Sequence, residues 1–272
     1  MSKVILITGA SRGFGKLWAE AFLKRGDKVV ATARNVASLE SLVTEFGDAV
    51  LPLALDVNDR QQSFAIVEQA KQRFGRIDVV INNAGYGVFG AIEETSEAEA
   101  RAQIETNFFG TLWLTQAVLP LLREQKSGHI IQVSSVLGLV TAPVLGLYNA
   151  SKFAVEGLSE TLATEVKPFG IHVTIVEPNA YETDWSGTSA AHAAPVAAYA
   201  PLREKAAAGF PPEAIGKPVA TTAAILKLVD TAQPPLRLLL GKAGLPLIKA
   251  VYAKRLAEFD EWKVVSDEAH GH

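Results

Sequence analysis

Val4-Ile5-Leu6-Ile7-Thr8-Gly9-Ala10-Ser11-Arg12-Gly13-Phe14-Gly15-Lys16-Leu17-Trp18 is the stretch that decides the fold. The apolar run from Val4 to Thr8 reads as a buried strand, and Leu17, Trp18, Ala21 and Phe22 read as the apolar side of a helix. Three glycines stand between them. Glycine at these places permits positive φ and lets a diphosphate approach the backbone, while the helix N-terminus offers free N–H groups and a partial positive charge. Gly9, Ser11, Arg12, Gly13, Phe14 and Gly15 are therefore candidate contacts to a dinucleotide. The glycine spacing alone is a weak motif; its position between the first strand and the first helix gives it weight.

Working outward, short β-branched runs keep alternating with helical periodicity to about residue 240. Strands are predicted at Val4–Thr8, Lys28–Ala33, Val50–Leu55, Ile77–Asn82, His129–Ser134, Ile171–Glu177 and Leu236–Leu240. Several are continuous apolar runs, as strands covered on both faces must be, so the fold class is α/β with a parallel sheet and helices on each side. Val155, Leu158, Leu162 and Val166 recur at helical spacing and stop before Pro168 and Gly170. No repeat, linker or charge run divides the chain, which predicts a single domain over residues 1–272. An Ala-, Pro- and Gly-rich segment at 184–215 is read as a cover, and a tail from about Pro246 with one amphipathic helix as packing or oligomer surface.

The composition narrows the function. The 272 residues hold 26 Lys plus Arg against 29 Asp plus Glu, a net charge of −3, and 49% are apolar. A weakly acidic balance without a basic block gives no footprint for nucleic acid or an anionic membrane surface. The absence of cysteine removes thiolate metal sites and thiol nucleophiles, and fits a reducing, cytoplasmic setting. The uncharged stretch from Ile130 to Ser151 contains Gln132, Ser134, Ser135, Pro143 and Asn149, so it reads as a strand plus a pocket-lining loop rather than a membrane span. His129, His172 and His192 lack ligand spacing, so no metal is expected.

In dinucleotide folds an acidic residue ending the second strand binds the adenosine ribose. Here the strand ends Val30-Ala31-Thr32-Ala33-Arg34, with no carboxylate. Arg34 offers a planar, permanently charged fork for a 2′-phosphate, and Arg12 can add a second positive group. The expected cofactor is NADP(H) in preference to NAD(H).

Further along stand Asn82-Asn83-Ala84-Gly85, Asn107 before Phe108-Phe109-Gly110, Ser134-Ser135, and Tyr148-Asn149-Ala150-Ser151-Lys152. With the glycine turn, this set resembles the simple single-domain branch of the short-chain dehydrogenase/reductase superfamily over roughly residues 3–240. Its marks are a TGxxxGxG turn, NNAG, a helix Asn, YxxxK, and a Ser thirteen residues before the Tyr, which favours Ser135 over Ser134. The resemblance implies a Rossmann-type doubly wound sheet of about seven strands and hydride transfer at a nicotinamide. It implies cofactor contacts from Asp56, Val57, Asn82, Asn83, Ala84, Gly85, Tyr148, Lys152, Pro178 and Thr183, a catalytic set of Asn107, Ser135, Tyr148 and Lys152, and a homodimer or homotetramer. One departure is Asn179, where the family commonly has Gly; asparagine tolerates left-handed backbone, so the turn is expected to persist.

The chemistry also follows from the residue types. A ketone being reduced must gain a proton and an alcohol being oxidised must lose one. Tyrosine, with an ordinary pKa near 10, is a poor base at pH 7. If Tyr148 and Lys152 lie on one helix face, a cation about 4 Å away at an effective dielectric of about 20 contributes roughly 4 kcal/mol, which brings the phenol toward neutral pH. Ser135 then donates a hydrogen bond to the substrate oxygen. The uncharged loop Val136–Leu147, the uncharged segment Trp185–Leu202, and the rings of Phe89, Tyr181 and Trp185 suggest an apolar small-molecule ketone or alcohol. Two other readings are a cofactor sensor that does no chemistry and an epimerase or dehydratase. The intact Asn-Ser-Tyr-Lys set argues against the first, and the glycine spacing against the second.

Overall fold

The computed structural model describes residues 2–187, 190–207 and 214–271. Of the predicted cover, residues 188–189 and 208–213 lie outside the described residues.

The strands are β1 (Val4–Ile7), β2 (Lys28–Ala33), β3 (Val50–Ala54), β4 (Val79–Asn82), β5 (Val88–Phe89), β6 (Gly128–Val133), β7 (Ile171–Pro178), β8 (Ala191–His192) and β9 (Arg237–Leu240). Seven of them form one parallel sheet in the order β3-β2-β1-β4-β6-β7-β9. The chain leaves β1 toward one edge and returns through β4 to build the other. A crevice therefore opens beyond the carboxyl ends of β1 and β4, where doubly wound folds bind ligands.

The helices are α1 (Gly13–Lys24), α2 (Glu40–Phe46), α3 (Arg60–Phe74), α4 (Glu97–Ile104), α5 (Gly110–Gln125), α6 (Gly146–Val166), α7 (Ala200–Ala207), α8 (Thr221–Asp230), α9 (Gly244–Glu261) and α10 (Lys263–Glu268). Strand side chains alternate between faces. In β1, Ile5 and Ile7 join Trp18 and Phe22 of α1 and Ile225 and Leu228 of α8. Leu6 points the other way, onto Ile66 of α3, Leu114 and Val118 of α5 and Leu162 of α6. Both faces are covered, which is why β1 has no polar position. Truncating a fully buried ring such as Phe22 to Ala costs about 3–5 kcal/mol. Buried Trp18 has a partner for its polar atom: Nε1 donates to Thr221 Oγ1 at 2.8 Å.

Local chemistry sets the ends. Asp59 accepts from the Gln62 N–H to cap α3, which closes on Gly75 at φ +80°. Ser96 and Glu99 form a capping box on α4. A π-helical segment, Glu105–Phe109, joins α4 to α5 and carries Asn107.

All seven predicted strands appear in the sheet. Not foreseen was the parallel pair β5 and β8, which ties the start of the cover to the segment after β4. The tail begins at Gly244 and contains two helices rather than one. Ile248 of α9 packs on Val136, Leu139 and Val140, while Leu256, Phe259 and Trp262 are exposed. Among the described residues no helix is long and apolar enough to cross a membrane, and no cluster of metal-ligating side chains is present.

Candidate active site

The glycine turn emerges from the carboxyl end of β1. Gly9 has φ +67° and Gly13 φ +57°, conformations that favour glycine. A Cβ on Gly15 would lie 2.3 Å from the Gly9 carbonyl oxygen, so the turn closes on bare backbone at the start of α1. Asn83 braces it, donating from Nδ2 to the Thr8 carbonyl at 2.9 Å and the Gly9 carbonyl at 3.3 Å. Thr8 Oγ1 accepts from the backbone N–H groups of both Asn83 and Ala84 at 2.9 Å. Half-buried Ser11 borders the turn. Phe14 stacks on Trp18 at 5.1 Å and meets Tyr181 edge-on at 5.2 Å. Tyr181 thus packs against the first helix.

At the end of β2, Arg34 is exposed and has no ion-pair partner among the described residues. Arg12 differs: its Nη1 is 3.1 Å from Asp184 Oδ2, a half-exposed pair joining the glycine turn to the cover. Beyond β3, Asp56 accepts from the Asn58 N–H at 3.0 Å. Val57 fits against Gly110, where a Cβ would be 2.8 Å from Val57 Cγ2. Asn82 turns into the protein, donating to Gln132 Oε1 at 2.8 Å and Thr115 Oγ1 at 3.2 Å. The Asn82 amide thus completes a buried network.

Asn107, Ser135, Tyr148 and Lys152 converge beyond the carboxyl ends of β4 and β6. Tyr148 and Lys152 are one turn apart on α6, with Lys152 Nζ 5.6 Å from the centre of the Tyr148 ring. Lys152 donates to the Val133 carbonyl at 2.8 Å. The Ser135 side chain acts on the Tyr148 hydroxyl, pulling the phenol's pKa down. Its Oγ also accepts from the Leu137 N–H at 3.1 Å, and it lies 3.5 Å from the Pro178 carbonyl. Asn107 accepts from the Tyr86 N–H at 3.1 Å and donates to the Tyr86 carbonyl and to Ser151 Oγ, each at 3.0 Å. A Cβ on Gly85 would meet Asn107 Oδ1 at 3.1 Å and Lys152 Nζ at 3.7 Å, so this glycine lets the two approach.

The electrostatics depart from the sequence expectation. Burial pushes the Tyr148 phenol up to about 12, with the Ser135 hydrogen bond pulling in the opposite direction. The Trp185 ring is one of the groups packed on the phenol, 4.8 Å from the Tyr148 ring. Burial likewise lowers Lys152 to about 8, opposed by the negative charge of Glu156. The acidification of the phenol by Lys152 expected from the sequence is not found; what opposes burial is Ser135.

The cover approaches this cluster through a turn, Asp184–Ser186, in which Thr183 Oγ1 accepts from the Trp185 N–H at 3.4 Å. Trp185 also contacts Phe89 at 5.3 Å and lies over Gly87, where a Cβ would be 2.6 Å from its ring. Gly87 and Tyr86 carried no sequence signal. Across the opening, Val144 has φ +57°, a strained conformation for a β-branched residue, and its carbonyl accepts from the Gly90 N–H at 2.8 Å. Asn179 does not use a left-handed conformation; its N–H donates to the Leu240 carbonyl at 3.0 Å and its Nδ2 to the Ala214 carbonyl at 3.2 Å.

A parallel sheet with a glycine turn at its switch point and a Ser-Tyr-Lys cluster beyond its carboxyl ends defines a class of nucleotide-dependent oxidoreductase. The family model for short chain dehydrogenase matches residues 3–194, and the chain belongs to that family. It is 41% identical to Oxidoreductase BOA17 of Botryotinia fuckeliana over 98% of both chains. It is 38% identical to 3-ketodihydrosphingosine reductase of Bacteroides thetaiotaomicron, over 93% of this chain and 91% of the relative. A crystal structure of a short-chain dehydrogenase from Streptomyces avermitilis superposes with a TM-score of 0.90 at 40% identity, covering 99% of each chain. Two other solved neighbours contain nicotinamide cofactors. One, from Burkholderia cenocepacia, is in complex with NADP (28% identity, TM-score 0.75, 96% of this chain and 97% of that one). The other, from Burkholderia phymatum, is in complex with NAD (25% identity, TM-score 0.80, 96% and 95%).

Proposed function

We propose that this chain is an NADP(H)-dependent reductase that interconverts an apolar ketone or aldehyde with its alcohol, all 272 residues forming one catalytic domain. The observation that carries the reading is the meeting of Ser135, Tyr148 and Lys152 at one point beyond the carboxyl ends of the strands.

The residues present fit a nicotinamide dinucleotide. The bare turn at Gly9, Gly13 and Gly15, with Ser11 and Phe14 beside it and the α1 N-terminus behind it, suits a diphosphate. Arg34 suits a 2′-phosphate, with Arg12 within reach if it exchanges Asp184 for that anion. Asp56 and Val57 would border the adenine. Asn83, Ala84 and Gly85 would line the ribose side, with Tyr148 and Lys152 across from them and Pro178 and Thr183 toward the carboxamide. When bound, the cofactor supplies or accepts a hydride.

In reduction, Tyr148 donates its phenolic proton to the carbonyl oxygen as charge develops there. Because burial holds the phenol at about 12, it is protonated throughout the neutral range and ready to act as the acid. Ser135 donates a second hydrogen bond to the same oxygen. The Lys152 ammonium stabilises the phenolate left behind, and Asn107 fastens the Tyr86 loop and Ser151 so that Gly85 and Lys152 keep their spacing. Oxidation runs these proton transfers in reverse.

Two observations support an apolar substrate: Val136–Leu147 carries no charge, and Phe89 and Trp185 form an aromatic wall. The exposed apolar residues of α9 and the segment after it support a homodimer or homotetramer, and the cysteine-free composition supports a cytoplasmic location. The test is a panel of carbonyl compounds followed by nicotinamide absorbance. Turnover of long-chain or aromatic ketones with NADPH is expected; preference for charged sugars would overturn the substrate class, and no turnover of any carbonyl would overturn the reaction.

A further inference from the structure

Behind Lys152 lies an ionic cluster that the proposed reaction does not yet use. Tyr148, Lys152 and Glu156 follow at intervals of four residues on α6 and so share one face. Glu156 is buried, as is Glu177 near the end of β7. Arg237, at the start of β9, bridges them: Nη1 donates to Glu156 Oε2 and, at 2.8 Å, to Glu177 Oε1, while Nη2 reaches Glu160 Oε2 at the rim at 3.3 Å. The remaining oxygens, Glu156 Oε1 and Glu177 Oε2, are buried without a hydrogen-bond partner, and so is Ser134 Oγ. A Cβ on Gly138 would fall 2.7 Å from Ser134 Oγ and 2.9 Å from Glu156 Oε1, so both atoms border the same bare glycine just beyond Ser135.

Two buried carboxylates against one guanidinium leave an excess negative charge, and the next charge along the helix face is Lys152. Around that ammonium stand Tyr148 and Glu156 from α6, the neutral Asn107 from the π segment and the Val133 carbonyl from β6. Facing Glu156 are Ser134 after β6, Glu177 from β7, Arg237 from β9 and Glu160 one turn on. Burial pushes the Glu177 carboxyl up to about 7, against the hydrogen bond from Arg237 and with the Glu156 charge adding to the rise. A proton held by this pair turns one carboxylate into a donor, which is what its orphaned oxygens lack.

We propose that Glu156, braced by Arg237, is a positioning residue that keeps Lys152 in its ammonium form beside Tyr148, and that one proton held between Glu156 and Glu177 grades this effect across neutral pH. The inference rests on the Tyr148–Lys152 chemistry proposed above. As Glu177 ionises, the added negative charge behind Glu156 holds the Lys152 proton further into the alkaline range.

The test is an NMR titration of protein carrying 13Cε-lysine, with the Lys152 signal assigned through Lys152→Arg, alongside the pH profile of kcat/KM for carbonyl reduction. Glu156→Gln is expected to lower both the Lys152 midpoint and the alkaline limb by about one pH unit or more, and Glu156→Asp to restore most of the shift. Glu177→Gln, the variant to use should Glu156→Gln not fold, is expected to abolish the inflection of the Lys152 signal near neutral pH. A Lys152 midpoint unmoved in Glu156→Gln, or an inflection that survives Glu177→Gln, overturns the proposal. Absence of carbonyl turnover in the unsubstituted protein would instead overturn the reaction, while the NMR arm still decides the coupling.

Discussion

The indole of Trp185 lies 4.8 Å from the phenol ring of Tyr148, tilted by 59°, so a residue of the cover forms the wall against which the proposed acid works. The same indole rests on the bare Cα of Gly87. Two substitutions therefore perturb one contact from opposite sides. Trp185→Ala removes the wall, and Gly87→Ala puts a methyl group where the ring now sits. Both are expected to raise kcat/KM for bulky ketones relative to small ones by about tenfold, read from paired substrates of different width. Unchanged selectivity in both variants would remove Trp185 from the substrate site.

The pH dependence of reduction has a fixed sign. Tyr148, pushed up to about 12, stays protonated through neutrality, whereas Lys152, lowered to about 8, loses its charge first. The expected profile of kcat/KM is level below about pH 7 and falls roughly tenfold per unit once Lys152 deprotonates. Steady-state rates across the alkaline range check this. Activity that rises through the same interval would mean that the phenolate, not the phenol, is the working form.

Arg34 is expected to set the choice of cofactor. Exposed and without an ion-pair partner among the described residues, it has its guanidinium available to a 2′-phosphate. Charge-assisted hydrogen bonds are worth about 1.5–3 kcal/mol, so Arg34→Asp should lower the ratio of kcat/KM for NADPH over NADH by at least about tenfold. Isothermal titration with the two cofactors reads the same preference without turnover. Arg12→Ala should have a smaller effect, because Arg12 already shares its charge with Asp184.

The sheet was legible because its inner strands are buried on both faces and so announce themselves as apolar runs; each predicted strand lies within two residues of its place. The strands β5 and β8 were not, since a two-residue pairing leaves no periodicity to read. The juxtaposition of Tyr148 and Lys152 on one helix was legible by spacing. What spacing cannot convey is desolvation: Lys152 does stand beside Tyr148, yet burial pushes the phenol up. Asn82 and Tyr181 likewise have partners that spacing does not convey. Both adjoin the right motifs, but Gln132 and Thr115 claim the amide and Phe14 claims the ring. Glu156 and Glu177 drew no notice in a chain with 29 acidic residues, because only the fold brings Arg237 between them.

The central claim is that the Tyr148 hydroxyl moves the proton in the reaction, and Tyr148→Phe isolates that one oxygen atom while keeping the ring under Trp185 and the helix face with Lys152. With cofactor affinity measured in parallel, the expected result is a fall in kcat of at least about 10²-fold with the cofactor Kd unchanged. Near-normal turnover by this variant would contradict the assignment outright.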